Sequence, residues 1–420
     1  MRKLLQKLLR FFSKSVLLKY KPVIVAITGS VGKTSTKEAI YHVLKTHFGE
    51  KEVRRNRRNY NNEIGVPLTI FGLETGGSSV FLWFLKFIKI LWMIVFKIKY
   101  PSFLVLEMGA DRPGDIKYLM DFVRPKVGVI TALGEIPVHV EFFESPRQVA
   151  NEKRNLISSL NESGIAILNY DDEAVRQMAE GISAKILTYG LKDRADIRAT
   201  NYDLKVNSNG SVSELNFKLE FSGSSVPAKL VNVLGVQHLY STLAAASVGI
   251  TFNMNLVEIV EALKEFHPLP GRMRLIKGIK NTLIVDDTYN AALLSMEAAL
   301  ESLKIFENRR KIVVLGDMLE IGKYTPEAHK KIGKKASEIA DLIFTVGSRS
   351  KFIAEEAKKQ GFSENKIFQF MVSSDAAIKV QEEIKENDII LIKGSRAMKM
   401  EKIVKEIMAE PEKAGELLVG

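Results

Sequence analysis

The chain has 420 residues, 46% of them hydrophobic and 26% charged, a composition typical of a globular protein with about two or three domains. It contains no cysteine, which excludes disulfides, thiolate metal ligands and a cysteine nucleophile. The formal net charge of +12 favours an anionic partner, such as a phosphorylated small molecule, a membrane surface or a nucleic acid. We expect no nucleic-acid partner, because no aromatic platform or known nucleic-acid module accompanies the basic cluster Arg54, Arg55, Arg57 and Arg58.

Residues 1–22 form a basic segment with helical spacing of its apolar residues. The apolar positions 4, 5, 8, 9, 11 and 12 fall on one helical face, with lysines and arginines between them. The segment lacks the long apolar stretch and the small-residue cleavage site of a secretion signal. The pattern therefore predicts an amphipathic helix at a membrane interface.

Strand-like apolar runs alternate with helical patterns along the rest of the chain, which indicates a parallel α/β architecture. The clearest runs are 23–28, 103–107, 127–132, 165–169, 283–286, 312–315, 342–346 and 389–392. Between 193 and 234, short alternating segments flank turn residues and predict a small antiparallel flap. Two prolines and a glycine within 267–271 predict a boundary between a first domain, 23–267, and a second, 268–420.

Residues 79–100 form an apolar insertion in the predicted first domain. The insertion carries Lys86, Lys89, Lys97 and Lys99, and lysines well inside it disfavour a full membrane span. Two interpretations remain open. The insertion is an apolar helix or hairpin in the membrane interface with its lysines turned to the headgroups, or it is a helix buried against another helix or a dimer partner.

The run 23–28 leads directly into a glycine-containing loop and then into a helical pattern. The loop consists of Gly29, Ser30, Val31, Gly32, Lys33, Thr34 and Ser35. Glycines allow backbone amides to approach phosphate oxygens, and the N-terminus of the following helix adds positive potential. We predict that this loop binds ATP, with Lys33 at the β and γ phosphates and the Thr34 hydroxyl on Mg²⁺. The reaction stays open at this point, since GTPases, kinases and ligases share such loops.

The shortened loop resembles that of the Mur ligases and folylpolyglutamate synthetases. Further stretches are similar to the MurF branch of the Mur ligase family, in the same order: 59–67 (NYNNEIGVP), 106–110 (LEMGA), 270–273 (PGRM), 286–291 (DDTYNA), 315–320 (LGDMLE) and 393–396 (KGSR). That branch adds D-alanyl-D-alanine to the UDP-muramoyl tripeptide. The resemblance implies a P-loop central domain with a parallel sheet, a Rossmann-like C-terminal domain, and a cytoplasmic ligase of peptidoglycan synthesis that uses ATP and Mg²⁺.

The resemblance also implies roles for individual residues. The expected catalytic residues are Lys33, Glu107, His139 and Lys153, and the expected metal ligands are Thr34, Glu107, His139 and Lys153. Lys153 would act as a carbamate, because carbamylation turns a cationic amine into an anion that can bind metal. The nucleotide would also contact Asn62, Arg272, Asp287 and Asn290, and the amine substrate would contact Lys393, Ser395 and Arg396.

The implied reaction transfers the γ-phosphoryl group of ATP to a peptide carboxylate, and the amine of an amino acid or dipeptide then attacks the acyl phosphate. MurF-type enzymes begin with a separate UDP-binding domain, whereas 22 residues precede Val23 in this sequence. The acceptor is then a muramoyl peptide gripped elsewhere, a lipid-linked precursor, or a polyglutamate-like or cyanophycin-like chain. The two basic apolar segments predict a peripheral contact with the inner membrane face.

Overall fold

The computed structural model describes residues 2–57, 60–207 and 213–419. The helices are α1 Arg2–Tyr20, α2 Lys33–Phe48, α3 Gly65–Phe71, α4 Val80–Val95, α5 Asp115–Met120, α6 Pro146–Ser158, α7 Glu173–Gln177, α8 Gln237–Thr251, α9 Leu256–Leu263, α10 Leu293–Ser302, α11 Thr325–Ile339, α12 Lys351–Lys359, α13 Ser373–Glu383, α14 Glu401–Ile407 and α15 Ala414–Leu417. The strands are β1 Val23–Thr28, β2 Val53–Arg55, β3 Phe103–Glu107, β4 Val127–Ile130, β5 Ile165–Asn169, β6 Lys185–Gly190, β7 Ile197–Val206, β8 Ser213–Phe221, β9 Ser224–Val231, β10 Arg274–Lys277, β11 Leu283–Asp287, β12 Lys311–Gly316, β13 Leu342–Val346, β14 Ile367–Phe370 and β15 Ile389–Lys393.

The first sheet has the strand order β2-β3-β1-β4-β5-β6-β7-β8-β9 and is parallel from β2 to β7. Its interior strand β1 is apolar from Val23 to Ile27 because both faces of the sheet are covered by helices. Val25 and Ile27 belong to the core that also contains α2 and α8, whereas Ile24 and Ala26 belong to the core on the opposite face. The carboxyl end of β1 lies between those of β3 and β4, where the strand order changes direction and parallel α/β folds place binding sites.

The predicted antiparallel segment is present as β7, β8 and β9. These strands continue the first sheet, because β7 pairs in parallel with β6 through Tyr189 and Ile197. The observed β4 ends two residues earlier than predicted. Ala132 instead accepts hydrogen bonds from the amides of Ser30 and Val31, at 2.8 and 3.0 Å, which ties the end of β4 to the glycine loop.

The second sheet has the order β10-β11-β15-β12-β13-β14 and is parallel except for the edge strand β10. The predicted α/β class, with parallel sheets, is confirmed. In the parallel pair of β11 and β15, Asp287 lies opposite Lys393, so strand register brings together two residues that are far apart in sequence. The predicted boundary at 267–271 lies in the connection between the two sheets.

Helices α1 and α4 lie side by side on one flank of the first sheet. Phe12 contacts Phe87, and further along both helices Tyr20 donates a hydrogen bond of 2.8 Å to the carbonyl of Met93, so the two helices run in the same direction. Residues 80–95 form one helix, not a hairpin. Within the described ranges, no helix combines the length and the apolar character needed to cross a membrane.

Candidate active site

The glycine loop between β1 and α2 adopts the shape expected of a phosphate-binding loop. Gly29 and Gly32 have φ angles of 150° and 88°, which favour glycine. A Cβ on Gly29 would also lie 1.9 Å from Oγ1 of Thr131, the residue that follows β4. The loop thus needs glycine at this position both for backbone conformation and for close packing on its neighbour.

Lys33 begins α2 and curls back over the loop. Its Nζ donates hydrogen bonds to the carbonyls of Gly29, at 2.8 Å, and Ser30, at 3.3 Å. Burial lowers the pKa of Lys33, and the nearby carboxylate of Glu107 acts against that shift. The ammonium is therefore held at the loop by polar contacts that phosphate oxygens can replace.

Three side chains converge on the carboxylate of Glu107 at the end of β3. Its Oε1 lies 3.3 Å from Oγ1 of Thr34 and accepts a hydrogen bond of 3.2 Å from the amide of Asn61, and Nζ of Lys37 lies 3.7 Å from its Oε2. The described residues contain no group of three acidic or imidazole side chains that could hold a metal alone. Thr34 and Glu107 nevertheless supply two adjacent hard oxygens, which suits Mg²⁺, because this ion takes few protein ligands and completes its shell with phosphates and water.

His139 lies at the junction of the two sheets. Its Nδ1 is 3.0 Å from Oε2 of Glu320, in the loop after β12, and its Nε2 is 3.4 Å from Oδ1 of Asp111, in the loop after β3. The adjacent imidazole of His139 lowers the pKa of Glu320. The predicted metal ligand thus stands between two carboxylates from different halves of the molecule.

Lys153 is 1% exposed on α6. Burial, and next the positive charge of Lys33, lower its pKa to about 7. A carbamate forms from the neutral amine, so this environment suits the modification that the sequence resemblance implies. The neighbouring Glu152 turns away, and its carboxylate accepts hydrogen bonds of 2.9 and 2.8 Å from the amides of Gly114 and Ile116 at the start of α5.

The second half of the molecule brings Arg272 and Asp287 to the same place. The guanidinium of Arg272 stacks on the ring of Tyr289 at 3.9 Å, and its Nη2 lies 3.4 Å from Oγ1 of Thr34. Asp287 accepts a hydrogen bond of 2.6 Å from the buried ammonium of Lys393, which also donates to the carbonyl of Asn290 at 2.9 Å. Lys393 thus fixes the position of Asp287 and of the chain at Asn290.

A cavity of about 850 Å³ lies between the two halves, and most of the predicted site residues line it. The lining includes Ser30, Val31, Gly32, Lys33, Thr34, Ser35, Glu107, His139, Arg272, Asp287, Asn290 and Lys393. A second cleft of about 1250 Å³ begins at Thr34 and Arg272 and runs along the opposite side of α2. Thr34, Arg272 and Tyr289 line both spaces, which therefore meet beside the phosphate loop.

Five predicted residues do not line this cavity: Gly29, Asn62, Lys153, Ser395 and Arg396. Gly29 belongs to the glycine loop, and Lys153 is buried on α6. The side chain of Asn62 is exposed and accepts hydrogen bonds from the amides of Ile64 and Gly65 at the start of α3. Ser395 is buried, and its hydroxyl accepts a hydrogen bond of 2.9 Å from the amide of Leu319. Arg396 lines the second cleft, with Nη1 3.2 Å from Oε2 of Glu401.

Sequence reasoning missed several polar residues of the first cavity. Asn61 contacts Glu107, Asp111 contacts His139, and Tyr240 donates a hydrogen bond of 3.0 Å to Asp171 at the far end. The four missed residues, Asn61, Asp111, Asp171 and Tyr240, all line the cavity. Asp111 and Asp171 each follow the carboxyl end of a parallel strand, and that position was the available signal.

Comparison with known proteins agrees with this geometry. The family model of the Mur ligase middle domain matches residues 27–83 and 89–249, and that of the Mur ligase, glutamate ligase domain, matches residues 271–396. Over 406 residues the chain is 30% identical to the UDP-N-acetylmuramoyl-tripeptide–D-alanyl-D-alanine ligase of Bacillus subtilis, covering 96% of this chain and 79% of that protein. The chain belongs to the Mur ligase family.

Other Mur ligases are similar over the same range. The protein of the same name from Escherichia coli is 29% identical over 387 residues, which cover 91% of this chain and 76% of that protein. The fold matches the MurF ligase of Thermotoga maritima in complex with ADP, with a TM-score of 0.77, 24% identity, and coverage of 97% of this chain and 84% of that one. The protein is thus an ATP-dependent ligase of the carboxylate–amine type that uses Mg²⁺.

Proposed function

We propose that this Mur ligase joins D-alanyl-D-alanine to the terminal carboxylate of a muramoyl tripeptide, as a step of peptidoglycan precursor synthesis in the cytoplasm. The observation that carries the proposal is the 30% identity to a ligase of that name over 96% of the chain. The motifs on both sides of the first cavity support it, because one reaction needs residues from both halves of the molecule.

We also propose the residue roles and the domain division. Residues 23–267 bind the phosphates through Gly29 to Ser35, and residues 268–420 supply Arg272, Asp287 and Asn290. Phosphoryl transfer to a carboxylate places negative charge between Lys33 and Arg272, and their cations stabilise it. Thr34 and Glu107 would hold Mg²⁺, which would neutralise further phosphate charge. Contact between the two halves excludes water that would hydrolyse an acyl phosphate.

The second cleft is the proposed site of the acidic acceptor. It starts beside Thr34 and Arg272, so an acceptor lying in it would reach the phosphate loop from the side opposite the first cavity. Basic side chains outnumber acidic ones in its lining: Lys37, Lys45, Lys51, Arg54, Arg55, Arg57, Arg272 and Arg396, against Glu38 and Glu50. This balance favours a ligand with several carboxylate or phosphate groups.

The proposed location is the cytoplasmic side of the inner membrane, with a peripheral contact. Two adjoining helices, α1 and α4, expose apolar side chains among lysines. Such a combination supports binding to anionic membrane surfaces.

The test is phosphate release measured with pairs of purified substrates. With ATP, Mg²⁺ and UDP-muramoyl tripeptide, we expect release to depend on D-alanyl-D-alanine, and mass spectrometry to detect the pentapeptide product. A glutamate pair, γ-glutamyl peptide with free glutamate, is the comparison. Turnover of the glutamate pair, without turnover of the muramoyl pair, would replace our proposal with a polyglutamate-type ligase.

A further inference from the structure

We infer that the outward faces of α1 and α4 together form a docking surface for a bilayer with anionic headgroups. We call this surface, residues 3–18 and 80–97, the basic apolar face. The inference rests on the membrane location proposed for the ligase and names the surface and the lipid chemistry responsible for it. More than half of the exposed large apolar side chains in the described part of the chain belong to this face.

Helix α1 is apolar on two sides. Leu9 and Val16 are fully buried in the core beneath the first sheet. Leu4, Phe11 and Leu18 repeat at helical spacing on another side and are 63%, 63% and 69% exposed. Folding of this chain therefore uses one apolar stripe of α1 and leaves the second stripe in contact with solvent.

Helix α4 is apolar nearly all round, yet only a narrow side is buried. Ile90 and Met93 are covered by the rest of the molecule. The outward side chains include Phe81, 66% exposed, and Trp92, 56% exposed. The further exposed apolar residues of this helix are Val80, Leu82, Phe84, Leu85, Ile88, Leu91 and Val95. A helix of this composition on the surface of a globular protein indicates an interaction site.

The charge of the basic apolar face has one sign. Residues 2–37 and 75–106 contain no aspartate or glutamate. Lys3, Lys7 and Lys14 lie at helical spacing beside the apolar stripe of α1, and all three are exposed. Lys89 within α4 and Lys97 just after it are exposed as well. Lysines beside an apolar stripe can keep their ammonium groups at phosphate level while their neighbours enter the acyl region.

The carbonyl groups at the C-terminal end of α4 have hydrogen-bond partners within the protein. The last carbonyls of a helix have no partner within it and are costly to leave unpaired in an apolar medium. Here Nζ of Lys19 donates to the carbonyls of Met93, Ile94 and Phe96, at 3.1, 2.8 and 2.7 Å. Helix α1 thus supplies the hydrogen bonds that would otherwise come from water, next in sequence to Leu18 and Val95, each 69% exposed.

The one-sided charge favours a lipid surface over a second copy of the chain. A symmetric dimer through this face would place the same lysines against each other, with no acidic residue in either segment to pair with them. Anionic headgroups provide the missing opposite charge at every position of the face. With 16 residues in α4 and lysines inside it, the helices would lie along the surface, not across it.

The decisive experiment is vesicle flotation of the full chain at low salt. The probes are vesicles of phosphatidylcholine alone and vesicles of phosphatidylcholine and phosphatidylglycerol in equal parts. We expect flotation with the anionic vesicles, little with the neutral ones, and release as salt screens the lysines. Failure of the wild-type protein to float with anionic vesicles would overturn the inference.

Three variants separate the contributions. Phe84→Gln, Ile88→Gln and Val95→Gln together remove apolar contacts, and Lys3→Glu, Lys7→Glu and Lys14→Glu together reverse charge. The apolar variant and the charge-reversal variant should each lower the fraction of protein bound to anionic vesicles at least about tenfold. The matched control is Met371→Gln, Val372→Gln and Ile378→Gln, at apolar positions of similar exposure in the second half, and it should float like wild type.

Phosphate release and light scattering distinguish the remaining outcomes. The variants should keep wild-type melting temperatures and wild-type turnover of soluble substrates, because the replaced side chains are exposed and line neither cavity. Flotation without any turnover would refute the proposed reaction and leave the docking surface standing. A wild-type dimer that becomes monomeric in the apolar variant, without flotation of either, would assign the face to a second copy and refute lipid docking.

Discussion

Arg272 places Nη2 3.4 Å from Oγ1 of Thr34, and this contact links the loop before β10 with the start of α2. Because Tyr289 stacks on the same guanidinium at 3.9 Å, Arg272 is held in a fixed orientation above the phosphate loop. The two halves of the molecule thus meet at the atoms where phosphoryl transfer is proposed.

The orientation of Arg272 should matter as much as its charge. Arg272→Lys keeps the cation but loses the planar group that stacks on Tyr289, and we expect turnover to fall about a hundredfold, equivalent to roughly 2.7 kcal/mol in the barrier. Steady-state phosphate release measures the loss. The matched control is Arg274→Lys, two residues along, which lines neither cavity and should keep its rate. Retention of more than half the activity by Arg272→Lys would contradict the assigned role.

The phosphate loop gives a second prediction. Lys33→Ala and Thr34→Ala should each reduce turnover to less than about a tenth of wild type, a barrier increase of more than roughly 1.4 kcal/mol, because they remove a phosphate contact and a metal oxygen. Thr46→Ala, on the same helix but exposed, is the control for the threonine change. Thermal melts should stay near wild type. An active Lys33→Ala enzyme would remove the loop from the mechanism.

Lys153 is predicted to carry a carbamate. Lys153→Ala should be inactive and should recover part of its activity in the presence of small carboxylic acids, which replace the lost anion. Carbon-13 NMR of protein in labelled bicarbonate gives a readout independent of turnover, since the carbamate resonance should disappear in this variant. Lys185→Ala, at an exposed lysine of β6, should retain both signal and activity. A fully active Lys153→Ala enzyme would refute the prediction.

His238 should make the fold sensitive to acid. It is 3% exposed, neither ring nitrogen has a hydrogen-bond partner among the described residues, and burial lowers its pKa to about 4. An unfolded histidine takes up a proton near pH 6.5, so between pH 7 and pH 5 the unfolded state gains a proton that the folded state does not. This difference removes about 2 kcal/mol from the free energy of unfolding.

Urea unfolding at the two pH values tests the size of this effect. The His238→Leu variant should lack that share of the pH dependence, whereas His267→Leu, at an exposed histidine, should behave like wild type. Equal pH dependence in wild type and His238→Leu would show that His238 is not held neutral in the fold.

Local patterns predicted those parts of the fold that depend on neighbouring residues. The strand, the glycine loop and helix α2 form one continuous stretch, and each carries its own signal. The order of strands in a sheet depends on contacts between distant parts of the chain. The pairing of Asp287 with Lys393 therefore could not be predicted from the sequence and is seen only in the register of β11 and β15. The resemblance implies that Lys393 binds substrate. In the structure its ammonium lies 2.6 Å from Asp287, and a contact with substrate stays a prediction.

Adjacent asparagines show a second limit of sequence reasoning. Asn61 and Asn62 have the same chemistry, and the sequence favoured Asn62 for the nucleotide. In the structure Asn62 accepts hydrogen bonds from the first amides of α3, and this fixes the chain so that Asn61 faces Glu107. For α4, the structure shows one face packed against the rest of the molecule and the other exposed. The interpretation as a buried helix therefore holds for one face, and membrane contact of the other face stays a prediction.

Arg54 connects the acceptor cleft with the helices of the basic apolar face. Its guanidinium lines that cleft and lies 4.9 Å from the ring of Tyr100, which in turn stacks on Tyr20 of α1 at 4.5 Å. One aromatic ring, that of Tyr100, thus lies between the cleft wall and a helix that we assign to the lipid surface. If a bilayer is bound at that surface, the structure of the protein sets the distance between the cleft and the lipid headgroups. An acceptor anchored in the same leaflet would then need a tether of one particular reach, and tether length becomes a criterion by which the enzyme selects its substrates.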